Sequence, residues 1–311
     1  MKLFVKAALL LVVLFAVWTT ATYPLIGEIV FQKGAQLEAH LYGLQKSAVD
    51  IGELEMVTYQ GGPAGAETIV MVHGYTADKD VWPRFARHLV DDYQVVIPDL
   101  AGHGETAFKP DWDYSIAAQS QRIAKLMDAL NINKAHIIGN SMGGHIAAYF
   151  AIHYPQRTLS TAPVDPAGVV SPEASDMEKM LAQGNNPFLF DTRDGFRQFY
   201  PMTMEKAPWL PGFVLDAVAD KYIALQAQNT AIFTAISSTS VQNDLARLKA
   251  PTLLIWGDHD RLLHVSATQV WSAAVPQMQV VIMPGIGHMP MVEAPAETAA
   301  IYRNFLDNIT P

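Results

Sequence analysis

The chain has 311 residues, half of them hydrophobic and 16% charged, with a formal net charge of −9 and no cysteine. This composition is too apolar for disorder and supplies a sizeable core, and the length predicts one large domain carrying an insertion. The acidic balance, with no Lys/Arg cluster to offset it, excludes the basic field that nucleic-acid binding requires, and the lack of cysteine removes disulfides, thiolate catalysis and zinc–thiolate sites.

At the amino terminus, Lys2 and Lys6 precede residues 7–27, a run of 21 residues without a charge. At about 1.5 Å per residue it is long enough to cross a hydrocarbon core of about 30 Å. We therefore expect residues 1–27 to act as a single-pass membrane anchor. The leading lysines favour a cytoplasmic start, with the rest of the chain exported and, in a bacterium, facing the periplasm from the inner membrane. The rival is a cleaved signal peptide and a secreted product, but Trp18-Thr19-Thr20-Ala21-Thr22-Tyr23 is a poor Ala-x-Ala-type site. Over 28–45, together with Ile26, the spacing of Val30, Leu37, Leu41 and Leu44 among Glu28, Lys33, Gln36 and Glu38 predicts an amphipathic helix linking anchor to core.

From about residue 46, short β-branched runs alternate with longer amphipathic ones, the pattern of parallel strands joined by crossover helices. Strands are predicted at 54–59, 68–73, 93–98, 135–139, 159–164, 252–256 and 279–283, and helices at 82–91, 115–130, 142–154, 266–274 and 294–308. The alternation fails over 170–241, where aromatics including Phe188, Phe196, Trp209 and Phe213 are interrupted by Pro187, Pro201, Pro208 and Pro211. This segment reads as an inserted helical lid, those four aromatics being candidate substrate-binding residues. It divides the core into 28–169 and 242–311.

Gly139-Asn140-Ser141-Met142-Gly143 follows one predicted strand and opens a helix, which is where a Gly-x-Ser-x-Gly nucleophile turn must lie. A serine hydroxyl needs a base, and histidine has a suitable pKa. Of ten histidines, His288 sits after the last strand and before the final helix. His73, His145, His259 and His264 read as structural or supporting. The acid that orients the base should follow a strand between serine and histidine in sequence. Trp256-Gly257-Asp258-His259-Asp260 offers two carboxylates; Asp260 is preferred because the glycine turn needs a residue or two before a side chain can swing to the histidine. Asp165, after the strand at 159–164, is a third candidate, or else a cap on the turn that follows it. The oxyanion formed on attack would be held by the backbone N–H groups of Met142 and Tyr75. No metal-ligand cluster or phosphate-cradling loop is evident, and the chemistry requires no cofactor.

The stretches His73 to Trp82, Asp99-Leu100-Ala101-Gly102-His103-Gly104, Gly139 to Gly144, Pro166-Ala167-Gly168, Trp256 to Asp260 and Gly287-His288 to Glu293 resemble the membrane-anchored monoacylglycerol lipases of the α/β-hydrolase superfamily and related bacterial lipases and phospholipases. The resemblance covers roughly residues 50–311. It implies an α/β-hydrolase fold, a mostly parallel sheet flanked by helices with a lid, with Ser141, Asp260 and His288 as triad and Tyr75 and Met142 as oxyanion donors. The implied activity is hydrolysis of acyl esters of amphiphilic lipids through an acyl-serine intermediate. Carbon–carbon bond hydrolysis of ring-cleavage products, whose enzymes also carry Gly-Asn-Ser-Met-Gly-Gly, and a catalytically dead binding protein are the alternatives.

Overall fold

The computed structural model describes Tyr23 and residues 26–309. Its eight strands are β1 (Gln45–Asp50), β2 (Glu55–Gly61), β3 (Thr68–Val72), β4 (Gln94–Pro98), β5 (Ala135–Asn140), β6 (Thr158–Val164), β7 (Leu253–Gly257) and β8 (Gln279–Met283). They form one sheet in the order β1-β2-β4-β3-β5-β6-β7-β8. β2 is antiparallel to both its neighbours, and the pairs from β4 to β8 are parallel. The predicted strands are all present. β1 was not foreseen, because Gln-Lys-Ser-Ala-Val-Asp carries no apolar run and is almost entirely exposed; backbone pairing to β2 at the sheet edge makes it a strand.

The helices are α1 (residues 26–41), α2 (Pro83–Ala86), α3 (Ile116–Ala129), α4 (Met142–His153), α5 (Asp176–Ala182), α6 (Arg193–Thr203), α7 (Gly212–Ala224), α8 (Gln226–Ser237), α9 (Ala267–Ala274), α10 (Pro290–Glu293) and α11 (Pro295–Ile309). The helix expected at 82–91 shortens to α2, which Pro83 opens, and continues as turns. Successive side chains of the buried strands point to opposite faces. Ile69 and Met71 pack with Trp82, Phe85, Tyr302 and Phe305 on one side. Val70 and Val72 pack with Ile123, Met127 and Phe150 of α3 and α4 on the other.

α5 to α8 are inserted between β6 and β7 and have their own small core of Phe196, Phe199, Met202 and Ala219, closed by Leu262 of the core domain. The predicted anchor at 7–27 lies almost wholly outside the described residues, and among the described residues no helix is long and apolar enough to cross a membrane. The linker helix expected at 28–45 ends at residue 41, before β1. Most of its large apolar residues are exposed. Ile26, Ile29, Leu37 and Leu41 are exposed, whereas Ala39 and Leu44 are buried and Gly27 packs against Phe213 and Ala217.

Candidate active site

The chain reverses direction across the sheet at β3, which has β4 on one side and β5 on the other. At such a switch point the carboxyl ends of adjacent strands leave a crevice. Gly74 and Tyr75 follow β3 and Ser141 follows β5, so both stand at its rim. Ser141 has φ 59° and ψ −119°, a strained left-handed conformation for a residue with a side chain. It is held by its N–H donating to the Val164 carbonyl (3.0 Å) and by its carbonyl accepting from His145 (3.0 Å) and Ala167 (3.1 Å). The turn closes only because its flanking positions lack side chains. A Cβ on Gly139 would lie 2.1 Å from the Gly143 oxygen, and one on Gly143 would lie 2.2 Å from the Val72 oxygen.

The loop after β3 lies directly on this turn, for a Cβ on Gly74 would stand 3.0 Å from that of Ser141. His73 fastens the loop: it is fully buried, its Nδ1 is 2.8 Å from the Gly74 oxygen, and its Nε2 accepts from the Leu100 N–H at 3.0 Å. Burial holds the His73 imidazole below the usual histidine range, as expected of a neutral structural group. The N–H groups of Tyr75 and Met142 make no hydrogen bond to the described residues.

His288 lies in the loop between β8 and α10. Its Nδ1 is 2.7 Å from Asp260 Oδ2, both residues being buried. Asp260 Oδ1 accepts from the N–H groups of Leu262 (2.8 Å) and Leu263 (3.0 Å), which fix the carboxylate. With a carboxylate at Nδ1, the ring proton sits there and Nε2 keeps its lone pair. Asp258 instead binds the Gly285 N–H through Oδ1 (2.6 Å), tying the acid loop to the histidine loop. Asp165 does not reach the histidine ring by hydrogen bond; its Oδ1 accepts from Gly257 N–H at 2.9 Å rather than capping its own turn.

Two residues that hold the histidine loop were not singled out from sequence. Asn140 Nδ2 donates to the His288 carbonyl (2.8 Å) and to that of Val164 (3.2 Å), joining the strand before Ser141 to the base. Glu293 accepts from the N–H groups of Gly287 (3.0 Å), Glu205 (2.9 Å) and Lys206 (2.8 Å), binding that loop to the inserted segment. The Asn140 partners, and Glu205 and Lys206 for Glu293, are backbone groups distant in sequence, so no local pattern signals them; Gly287 is near Glu293 in the chain.

Ser141, His288, Gly74 and Tyr75 line a cavity of about 550 Å³. Phe188, Phe196, Phe199, Tyr222 and Leu225 of the inserted segment form much of its wall, and α1 adds Val30, Phe31, Gly34 and Ala35. Two of the four candidate aromatics, Phe188 and Phe196, are thus in place. Trp209 and Phe213 are not. Trp209 is 85% exposed on a proline-bounded loop, and Phe213 turns edge-to-face onto Tyr23. One side of the cavity is charged: Lys221 of α7 donates to Asp78 (3.1 Å), and Asp80 accepts from the Tyr59 hydroxyl at 2.8 Å. Burial and the charge of Asp78 push the Asp80 carboxyl up to about 7.

An eight-stranded, mostly parallel sheet, with a serine on a strained strand-to-helix turn and the histidine of a buried His–Asp pair lining one cavity, defines a class of hydrolase. The alpha/beta hydrolase fold family model matches residues 67–295, and the chain belongs to that family. It is 32% identical over 283 residues to Lipase 3 of Moraxella sp. (strain TA144), covering 89% of this chain and 90% of that protein. It is 28% identical over 265 residues to the monoacylglycerol lipase ABHD6 of Mus musculus, covering 81% and 79%. Among solved structures it is similar to a bacterial membrane phospholipase A, a virulence factor, with a TM-score of 0.89, 34% identity and 99% of each chain covered.

Proposed function

We propose that this chain is a serine hydrolase that cleaves carboxylic esters of amphiphilic lipids such as monoacylglycerols, lysophospholipids or phospholipids. The observation that carries the reading is the Asp260–His288 hydrogen bond at the edge of an apolar cavity that also exposes Ser141. In this mechanism His288 Nε2 takes the Ser141 proton as Oγ attacks the acyl carbon, and Asp260 steadies the imidazolium. The tetrahedral oxyanion is received by the N–H groups of Tyr75 and Met142, and losing one donor of this kind costs about 10²- to 10³-fold in turnover. His288 then protonates the departing alcohol, and water, deprotonated by the same ring, releases the acid from the acyl-serine.

α5 to α8 serve as the lid. Their aromatic wall, with Phe188 and Phe196, takes the acyl chain, while Asp78, Asp80 and Lys221 border the polar head group. Residues 7–27 act as a membrane anchor, and the exposed Ile26, Ile29, Leu37 and Leu41 of α1 extend it along the bilayer surface, while Val30, Phe31, Gly34 and Ala35 of the same helix line the cavity. The lipases, the monoacylglycerol lipase and the membrane phospholipase to which the chain is similar support this reading.

The test is turnover of p-nitrophenyl esters of increasing chain length together with a panel of lipid classes. Medium or long acyl esters should be cleaved, and Ser141→Ala should lower turnover by about 10⁴-fold or more. Folded protein without ester activity, or activity that survives Ser141→Ala, would refute the proposal.

A further inference from the structure

Asp165, the residue after β6, is wholly buried and has φ 43°, a conformation that Asp and Asn reach more readily than most residues. Its N–H donates to the Ile255 carbonyl (2.9 Å) and its Oδ1 accepts from Gly257. Among the described residues no donor reaches Oδ2. One carboxylate oxygen of Asp165, one of Asp260 and a ring nitrogen of His288 all lie within 4.8 Å of one another.

Two buried carboxylates this close do not both ionise, because each opposes the other's charge and an unpartnered anionic oxygen out of water is costly. The division between them is uneven. Asp260 has two backbone N–H donors on one oxygen and the imidazole N–H on the other, whereas Asp165 has a single backbone donor. The negative charge therefore belongs to Asp260 and the proton to Asp165. Burial, and then the charge of Asp260, push the Asp165 carboxyl well above the usual range, with Glu293 adding to the effect. His145 on α4, whose ring lies against Gly168 in the loop after Asp165, is kept neutral by burial.

We propose that Asp165 is a protonated positioning residue whose Oδ2–H donates a hydrogen bond to the Asp260 carboxylate, fixing that group and moderating the charge it presents to His288. Asp165 keeps its proton throughout the cycle, so no bond is made or broken on it. The proposal rests on the reading of Asp260 and His288 as the acid and base. Asp260→Asn and His288→Ala in an otherwise native chain test that reading separately.

The experiment is the pH profile of kcat/KM on p-nitrophenyl butyrate for the native chain, Asp165→Ala and Asp165→Asn. Losing the donor leaves the Asp260 charge unmoderated, which favours the imidazolium. The acidic limb of Asp165→Ala should therefore move up by roughly one pH unit. Asp165→Asn, whose amide can donate in the same place and tolerates the same φ, should bring the limb back to the native position. If Asp165 were instead an anion, Asp165→Asn would remove a negative charge beside the ring and move the limb down by a similar amount. That downward shift, or an acidic limb in Asp165→Ala that stays where it was, overturns the proposal. Asp165→Asn separates a protonated from an anionic Asp165 even if the alanine variant does not fold. Asp165→Ser, which shortens the donor, should then move the limb up as alanine would, and an unmoved limb overturns the proposal.

Discussion

Ser141 and His288 are distant in sequence, yet Asn140, which precedes Ser141 and lies 148 residues before His288, donates to the His288 carbonyl. The acid is where chemistry and burial separate two neighbouring carboxylates. Asp258 is partly exposed and holds a loop, while Asp260 is buried against the imidazole. Asp260→Asn should therefore lower kcat by about 10⁴-fold, because an amide stabilises the wrong tautomer. Asp258→Asn should stay within about tenfold of native, since it removes one hydrogen bond to a backbone N–H. Initial-rate measurements on a soluble ester check both, and equal losses would contradict the assignment. Glycine spacing made Ser141 a candidate nucleophile in the sequence, and position between strand and helix made His288 the candidate base. The preference for Asp260 over Asp258 rests on the length of the glycine turn and on the resemblance, and the loop turns the Asp260 carboxylate inward to the imidazole. The role of Asp165 was hidden, because it is set by burial against residues some ninety positions later.

The elements show a similar division. The buried parallel strands β3 to β7 were readable because a strand covered on both faces or in a sheet centre needs β-branched and apolar residues, and the half-exposed edge strand β8 was readable from its run Val280 to Met283. β1 was not, because it is held by hydrogen bonds to an edge and contributes little to the core. Helix α1 was legible from its periodicity, but which face it turns to the core was not: small residues such as Gly27 and Ala39 pack inward, while Ile26, Ile29, Leu37 and Leu41 stay exposed. α4 illustrates a cost of burial. His145 on this helix has its imidazole held down to about 4, against an ordinary value near 6.5, because burial opposes its charge. The folded state thus binds fewer protons than the unfolded one between those values. Stability conferred by this group is complete above about pH 6.5 and falls as pH drops towards 4. Replacing it by Gln should flatten the stability-against-pH curve in that window by about 1.4 kcal/mol per pH unit, measured by urea denaturation. An unchanged slope would show that His145 is not the buried neutral group described.

At the scale of the whole molecule, the cavity draws its walls from the core, the inserted helices and α1 together. The candidate aromatics Phe188 and Phe196 could be found because they sit in the inserted core. Trp209 and Phe213 could not be separated from them by composition, since facing direction on a proline-broken segment is a tertiary property. If residues 1–25 bring the cavity to a bilayer, a chain beginning at Ile26 should hydrolyse soluble short esters at near-native rates and lose most of its activity on phospholipid vesicles. Equal losses on both substrates would mean that the segment serves the fold instead. The account as a whole depends on Ser141 being an activated nucleophile. Its most direct measurement is reaction of the pure protein with a fluorophosphonate probe, followed by mass spectrometry of the labelled peptide. The predicted result is one adduct, on Ser141, absent in Ser141→Ala and formed much more slowly in His288→Ala. An adduct on another serine, or no adduct on folded protein, would contradict it.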